Sequence, residues 1–113
     1  MEKQSWTSRV DTKTFEPFMV EGKQLGKIHF LRQGGVGGTN LLAGIWKSGP
    51  MTFPYDFPFG DETLHCVEGG VVITLASGEK VEMKPGDIAS FLKGTKSTWT
   101  IASSVRKFFV ICG

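Results

Sequence analysis

Short runs of β-branched and aromatic residues alternate with glycine-rich turns along most of the chain. The runs cover residues 25–31, 41–47, 51–55, 63–68, 71–76, 80–83, 88–91, 98–101 and 105–112. Together they predict about nine strands. No window shows the apolar spacing of an amphipathic helix, so βαβ units are excluded, and the pattern predicts an all-β barrel or sandwich.

The first part of the chain carries a weaker pattern. Phe15, Phe18 and Val20 are isolated apolar residues among polar ones. We therefore expect residues 1–23 to form an N-terminal arm that packs along the barrel, and residues 24–113 to form the barrel domain. A chain of 113 residues has room for one domain with a normal core.

Composition and charge exclude several classes of protein. The chain is 40% hydrophobic and 21% charged, which is typical of a globular domain. Its net charge of +2 comes from basic residues spread along the chain, so no nucleic-acid partner is expected. The longest aliphatic runs are far shorter than a membrane span and the first residues lack an apolar segment, so we expect no membrane association and a cytoplasmic location. Cys66 and Cys112 are expected to be reduced thiols.

Two sets of residues fit the motifs of a known family. Gly49, the Tyr55-Asp56-Phe57 run, Glu62 and Gly69 have the spacing of the first cupin motif, and Gly86, the Leu92-Lys93-Gly94 run, Ser97 and Ile101 have that of the second. Residues 70–85 match the usual spacer between them. The chain therefore resembles the cupins, and the resemblance implies a single-domain jelly-roll barrel, the double-stranded β-helix.

Further residues narrow the resemblance to small cupins of the ureidoglycine-aminohydrolase type and the ethanolamine-utilisation type. These are Trp46, Glu62, the Val67-Glu68-Gly69 run, the Gly86-Asp87 pair, Phe91, Gly94, Trp99 and the Val105-Arg106-Lys107 run. Where cupins usually carry metal-binding histidines, this chain has Tyr55, Phe57 and Ser97. We therefore expect no transition metal and no other cofactor.

The resemblance implies that Glu62 faces the barrel lumen, and strand alternation then predicts which other side chains face it. The predicted site has aromatic walls, one carboxylate and a few hydroxyl groups, which suits a small organic ligand. Its expected ligand-binding residues are Tyr55, Phe57, Glu62, Ser97 and Trp99.

Glu62 is the candidate for catalysis, with Tyr55 as a hydrogen-bond donor that orients the ligand. Aromatic surroundings would partly desolvate the Glu62 carboxyl group and tune it for proton transfer. The alternative is a structural carboxyl group that closes one end of the barrel through a hydrogen bond. Arg106 and Lys107 alternate on the last strand, so one of them could reach Glu62, although a solvated edge is the simpler interpretation. His65 has the opposite parity to Glu62 and is expected outside the barrel.

Three functions remain open from the sequence. The first is binding of a small organic metabolite in the lumen without a transition metal, with catalysis unresolved. The second is a metal-dependent hydrolase or isomerase of the ureidoglycine-aminohydrolase type with atypical ligands. The third is a structural or regulatory dimer whose lumen is filled by its own side chains. We expect a homodimer in each case, because flat aromatic-rich sheets and an N-terminal arm favour sheet stacking or strand exchange.

Overall fold

The computed structural model describes residues 3–113. It contains ten strands and one short 3₁₀ turn at Val36–Gly38. In chain order, the strands are β1 Glu16–Val20, β2 Lys23–Gln33, β3 Leu41–Ser48, β4 Met51–Tyr55, β5 Asp61–Gly69, β6 Val71–Leu75, β7 Lys80–Met83, β8 Ile88–Phe91, β9 Ser97–Ile101 and β10 Val105–Cys112.

The strands form two antiparallel sheets that face each other around one core. The larger sheet has six strands in the order β1-β2-β3-β10-β5-β8, and the smaller has four in the order β4-β9-β6-β7. Apolar side chains from the inner faces of both sheets fill the space between them. The molecule is therefore an all-β jelly-roll barrel, which confirms the predicted fold class. Among residues 3–113, no helix has the length and hydropathy needed to cross a membrane.

The structure contains one strand that the sequence pattern did not predict. β1 lies within residues 1–23 and pairs with β2 as the edge of the six-stranded sheet. Glu21 and Gly22 connect the two strands, and both have positive φ, as a tight two-residue hairpin requires. Pro17 made a strand over residues 16–20 difficult to predict, because proline is tolerated in strands mainly at sheet edges. The count of about nine strands was therefore one too low.

Residues 3–15 lie on the outer face of the six-stranded sheet. Ser8 Oγ lies 2.9 Å from His29 Nε2, and the Arg106 guanidinium donates to the carbonyl oxygens of Val10 and Thr12 at 2.9 and 3.1 Å. The Phe15 ring packs against the Lys47 ammonium, whose Nζ is 4.3 Å from the ring centroid. The segment thus covers part of the outer surface and does not enter the lumen.

Candidate functional site

Strand alternation on β5 and β10 places two charged side chains inside the barrel. Glu62 points inward from β5 together with Leu64 and Cys66, and all three are buried. On the neighbouring strand β10, Lys107 points inward and is also buried. The Lys107 ammonium donates a hydrogen bond to Glu62 Oε2, so the two residues form a buried ion pair.

Aromatic rings surround the ammonium of this pair. Lys107 Nζ lies 4.6 Å from the ring centroid of Trp99, 5.2 Å from that of Trp46 and 5.5 Å from that of Phe109. At these distances the electron-rich faces of the rings attract the cation. The rings offset part of the cost of burying the charge, and the Glu62 carboxylate supplies the opposite charge.

β4, the loop after it and the neighbouring strands together provide the aromatic wall. The rings of Phe53 and Trp99 stack at 5.7 Å, and those of Phe57 and Phe91 stack at 4.7 Å. Phe57 is fully buried although its φ is +52°, a conformation that non-glycine residues rarely adopt. Its tight packing against Phe91 compensates for a backbone cost of about 1–3 kcal/mol. The chain therefore holds this ring in place in spite of local strain.

A cavity of about 20 Å³ lies between the ion pair and the aromatic wall. A space of this size has room for about one water molecule. Two of its lining residues, Phe18 and Tyr55, are only half-buried, so the cavity opens toward solvent between them. The full lining consists of Phe18, Leu25, Ile28, Trp46, Phe53, Tyr55, Glu62, Trp99, Lys107, Phe109 and Ile111.

Two indole groups on this lining differ in their hydrogen bonding. Trp46 Nε1 donates to the Leu25 carbonyl oxygen at 2.8 Å. Trp99 Nε1 is buried, and no acceptor for it is found within residues 3–113. An N–H group buried without an acceptor is costly. Trp99 therefore brings an unused donor to the site.

The Tyr55 hydroxyl group is held in its protonated form. Burial raises its pKa well above the ordinary value for tyrosine, and the negative charges of Glu62 and Asp56 add to the rise. At neutral pH the phenol is therefore neutral and able to donate a hydrogen bond at the mouth of the cavity.

The structure brings together three of the five expected ligand-binding residues. Tyr55, Glu62 and Trp99 line the cavity, whereas Phe57 and Ser97 do not. Phe57 lies behind the wall, with its ring centroid 5.1 Å from that of Tyr55. The Ser97 hydroxyl group donates to the Tyr55 carbonyl oxygen at 2.6 Å. These two residues therefore contact Tyr55 and not the cavity.

Sequence reasoning raised Lys107 only as one of two residues that could reach Glu62 and favoured a solvated edge, which the burial of Lys107 overturns. Alternation on β10 required either Arg106 or Lys107 to face the lumen, and only the pairing of the strand with its neighbours decides between them. Arg106 is on the outer face, where it holds the N-terminal segment. Phe18 was missed as a lining residue, because β1 itself was not predicted.

The other candidate residues lie away from the cavity. His65 is exposed, as expected from its parity with Glu62. Cys66 is buried and Cys112 is exposed, and both are free thiols. Burial raises the pKa of the Cys66 thiol, so it stays protonated and unreactive at neutral pH.

A sequence comparison decides the family. A sequence model described as the EutQ-like cupin domain matches residues 38–109, which is well over half of the chain. The chain belongs to this family. The matched region includes β3 to β9 and most of β10, and so contains the Glu62–Lys107 pair and the aromatic wall. No curated protein matches the chain.

Solved structures share the cupin fold. The putative ethanolamine utilization protein EutQ of Salmonella typhimurium superposes with a TM-score of 0.67 at 19% identity, over 88% of this chain and 94% of its own. EutQ of Clostridium difficile gives 0.68 at 20% identity, over 81% and 71%. A DUF861 family protein of Thermotoga maritima gives 0.54 at 31% identity, over 57% and 73%. At the identities of the two EutQ proteins, the similarity shows a shared fold.

The residues of this cupin do not fit the metal site usual in the superfamily. In the motifs that resemble those of cupins, Tyr55, Phe57 and Ser97 occupy the positions where histidines are usual. In the described part of the chain, no three His, Cys, Asp or Glu side chains are grouped closely enough to hold a metal ion. Glu62, the carboxylate that cupins contribute, is already paired with the Lys107 ammonium. This donor set gives no support to a transition-metal centre.

Proposed function

We propose that this cupin binds a small organic ligand in its barrel lumen without a transition metal. Tyr55, Glu62 and Trp99 are the proposed contacts, with Lys107 added to them, while Phe57 and Ser97 hold Tyr55 in position. The single observation that carries the proposal is the buried Glu62–Lys107 pair on the lining of an aromatic cavity.

The energetics of buried charge support a functional role for this pair. Replacing a buried ion pair by apolar side chains of similar volume is often neutral or stabilising. A barrel that needed only a stable core would therefore do as well with two apolar residues at these positions. The pair instead places a hydrogen-bond donor and an acceptor next to aromatic surfaces, a combination typical of sites for small molecules.

Turnover of the ligand is a further step within the same proposal. Glu62 would be the proton-transfer group, since it is the carboxylate on the cavity. Tyr55 would donate the hydrogen bond that orients the substrate, because its hydroxyl group is protonated at neutral pH. Lys107 would act as a second donor. Activity is then expected to disappear in Glu62→Gln.

A thermal-shift screen of a metabolite library tests ligand binding. The library includes ethanolamine, because the Salmonella structure is described as a putative ethanolamine utilization protein. We expect at least one compound to raise the Tm of the wild-type protein and of Thr63→Ala, an exposed change beside Glu62. The same compound should fail to stabilise Glu62→Gln or Trp99→Phe. A library without any stabilising compound, or one whose hits stabilise all four proteins equally, would contradict the proposal.

Metal content is tested separately by elemental analysis of untagged protein purified without chelator. We expect less than one transition-metal ion per chain and no thermal shift on adding manganese, iron, nickel or zinc salts. One tightly held ion per chain would favour the metal-dependent hydrolase instead, with Glu62 among its ligands.

The small cavity favours a second candidate function. A space of about 20 Å³ holds no ligand larger than water without movement of its lining. A structural or regulatory dimer with a filled lumen is consistent with this volume. The two candidates differ in the library screen, because only the ligand-binding barrel gains stability from a small molecule.

A further inference from the structure

We infer that the lumen recognises the carbonyl oxygen of a small neutral molecule, held by Lys107 and Trp99. The inference rests on the proposed function and specifies its ligand class. It follows from the N–H groups on the cavity lining that have no acceptor in the described chain.

Two side chains on the cavity lining carry N–H donors without an acceptor among residues 3–113. The Lys107 ammonium has three N–H groups, and within residues 3–113 its hydrogen-bond acceptor is Glu62 Oε2. Its Nζ lies 4.6–5.5 Å from three ring centroids, and Lys107 lines the cavity. Trp99 Nε1 adds a donor that has no acceptor in the described chain. A carbonyl oxygen can accept two hydrogen bonds and donates none, so it matches these groups.

The charges of the lining favour a ligand without net charge. Glu62 and Lys107 already compensate each other. An anion would be attracted by the Lys107 ammonium but repelled by the adjacent Glu62 carboxylate. A cation would be attracted by the carboxylate but repelled by the ammonium. In a buried site either charge would stay partly uncompensated, which costs free energy. A neutral polar group avoids this cost.

The dimensions of the cavity set the position of the ligand. A cavity of about 20 Å³ has room for the oxygen atom of a small molecule but not for the whole molecule. The rest of the molecule would lie toward the opening between Phe18 and Tyr55, against apolar ring surfaces. Phe18 belongs to the edge strand β1, and its ring contacts Phe59 at a centroid distance of 6.0 Å. A modest displacement of this ring would admit a molecule of a few heavy atoms.

The indole N–H resonances provide a direct test with three probes of similar size. Acetamide is a neutral carbonyl compound, acetate is an anion and ethylammonium is a cation. The chain has three tryptophans, and the resonance of Trp99 is assigned by its loss in Trp99→Phe. We expect acetamide to shift the Trp99 indole signal saturably at roughly millimolar concentration, as the size of the ligand implies. Acetate and ethylammonium should leave it unchanged.

The matched variant is the double substitution Glu62→Gln and Lys107→Met. It removes both charges together and so leaves no unpaired ion in the core. We expect the affinity for acetamide to fall roughly tenfold or more, because a charged donor is lost. Cooperative urea unfolding of the double variant serves as the folding control.

Each outcome separates this inference from the proposed function. A saturable shift with acetate or ethylammonium but not acetamide overturns the ligand class and leaves ligand binding in the lumen intact. No response to any probe overturns the inference as well, and the metabolite screen then decides on the proposed function independently. Equal affinity for acetamide in the wild type and the double variant would remove Lys107 from the site.

Discussion

At the scale of single residues, the buried ion pair predicts that removing one of its charges lowers stability more than removing both. Lys107→Met leaves the Glu62 carboxylate buried without its partner, which typically costs about 3–5 kcal/mol. Adding Glu62→Gln removes that charge, so the double variant should recover most of the loss. Urea unfolding of the wild type, both single variants and the double variant measures the coupling. Additive losses in the double variant would show that the two charges do not interact.

The buried Tyr55 hydroxyl group predicts how the free energy of unfolding changes at alkaline pH. The unfolded chain releases this proton near pH 10, at about the ordinary pKa of tyrosine, whereas the folded chain retains it because burial raises the pKa. Above about pH 10 the unfolded state therefore binds fewer protons, and the free energy of unfolding falls as the pH rises.

Absorbance at 295 nm measures this titration directly, because Tyr55 is the one tyrosine of the chain. We expect no tyrosinate signal in the folded protein at pH 10.5, and about three quarters of full ionisation at the same pH in urea. Tyr55→Phe gives the baseline. A folded protein that titrates with a midpoint near pH 10 would show that the hydroxyl group is solvated.

The two thiols should differ in reactivity. Cys112 is exposed, whereas Cys66 is buried and its pKa is raised by burial. We expect one thiol per chain to react rapidly with a disulfide reagent in the native state, and the second only after unfolding. Cys112→Ser identifies the fast thiol. Rapid reaction of this variant would place Cys66 within reach of solvent.

At the scale of strands, the contact between β2 and β3 depends on a residue without a side chain. A Cβ atom at Gly44 would lie 2.2 Å from the His29 carbonyl oxygen, so the two strands would have to separate. We expect Gly44→Ala to lower the free energy of unfolding by about 1–3 kcal/mol through overpacking. Gly49→Ala is the matched control, because nothing lies within 4 Å of its Cβ position. Equal effects of the two changes in urea unfolding would contradict the steric explanation.

Strand alternation explains why much of the site could be predicted. The family resemblance implied that Glu62 faces the lumen, and alternation then correctly placed Trp99 on an inner face, because the side-chain period of a strand is two and one face is buried. Alternation could not choose between Arg106 and Lys107, since that choice depends on register against β5, where the pairing shifts between these two residues. The left-handed backbone conformation of Phe57 could not be predicted from the sequence either, because tertiary packing imposes it.

At the scale of the whole molecule, the N-terminal segment covers an apolar surface of the six-stranded sheet. Ile45 and Phe108 point outward from β3 and β10, yet Ile45 is only 4% exposed. Both residues, with Ser8, Val10 and His29, line a gap of about 80 Å³ between the segment and the sheet. The contacts are made within one chain in this structure, but the same contacts could be exchanged between two copies.

Deletion of residues 1–15 therefore tests both the role of this segment and the predicted homodimer. The fully buried core begins at Leu25, so we expect the shortened chain to fold, with a lower Tm and with binding of a hydrophobic dye at the uncovered surface. Light scattering should give the full chain a mass near twice 12.4 kDa. A shortened chain that is monomeric indicates exchange of the segment, whereas one that stays dimeric indicates stacking of sheets. A monomeric full chain would contradict the dimer, and the segment would then act only as a cover for its own sheet.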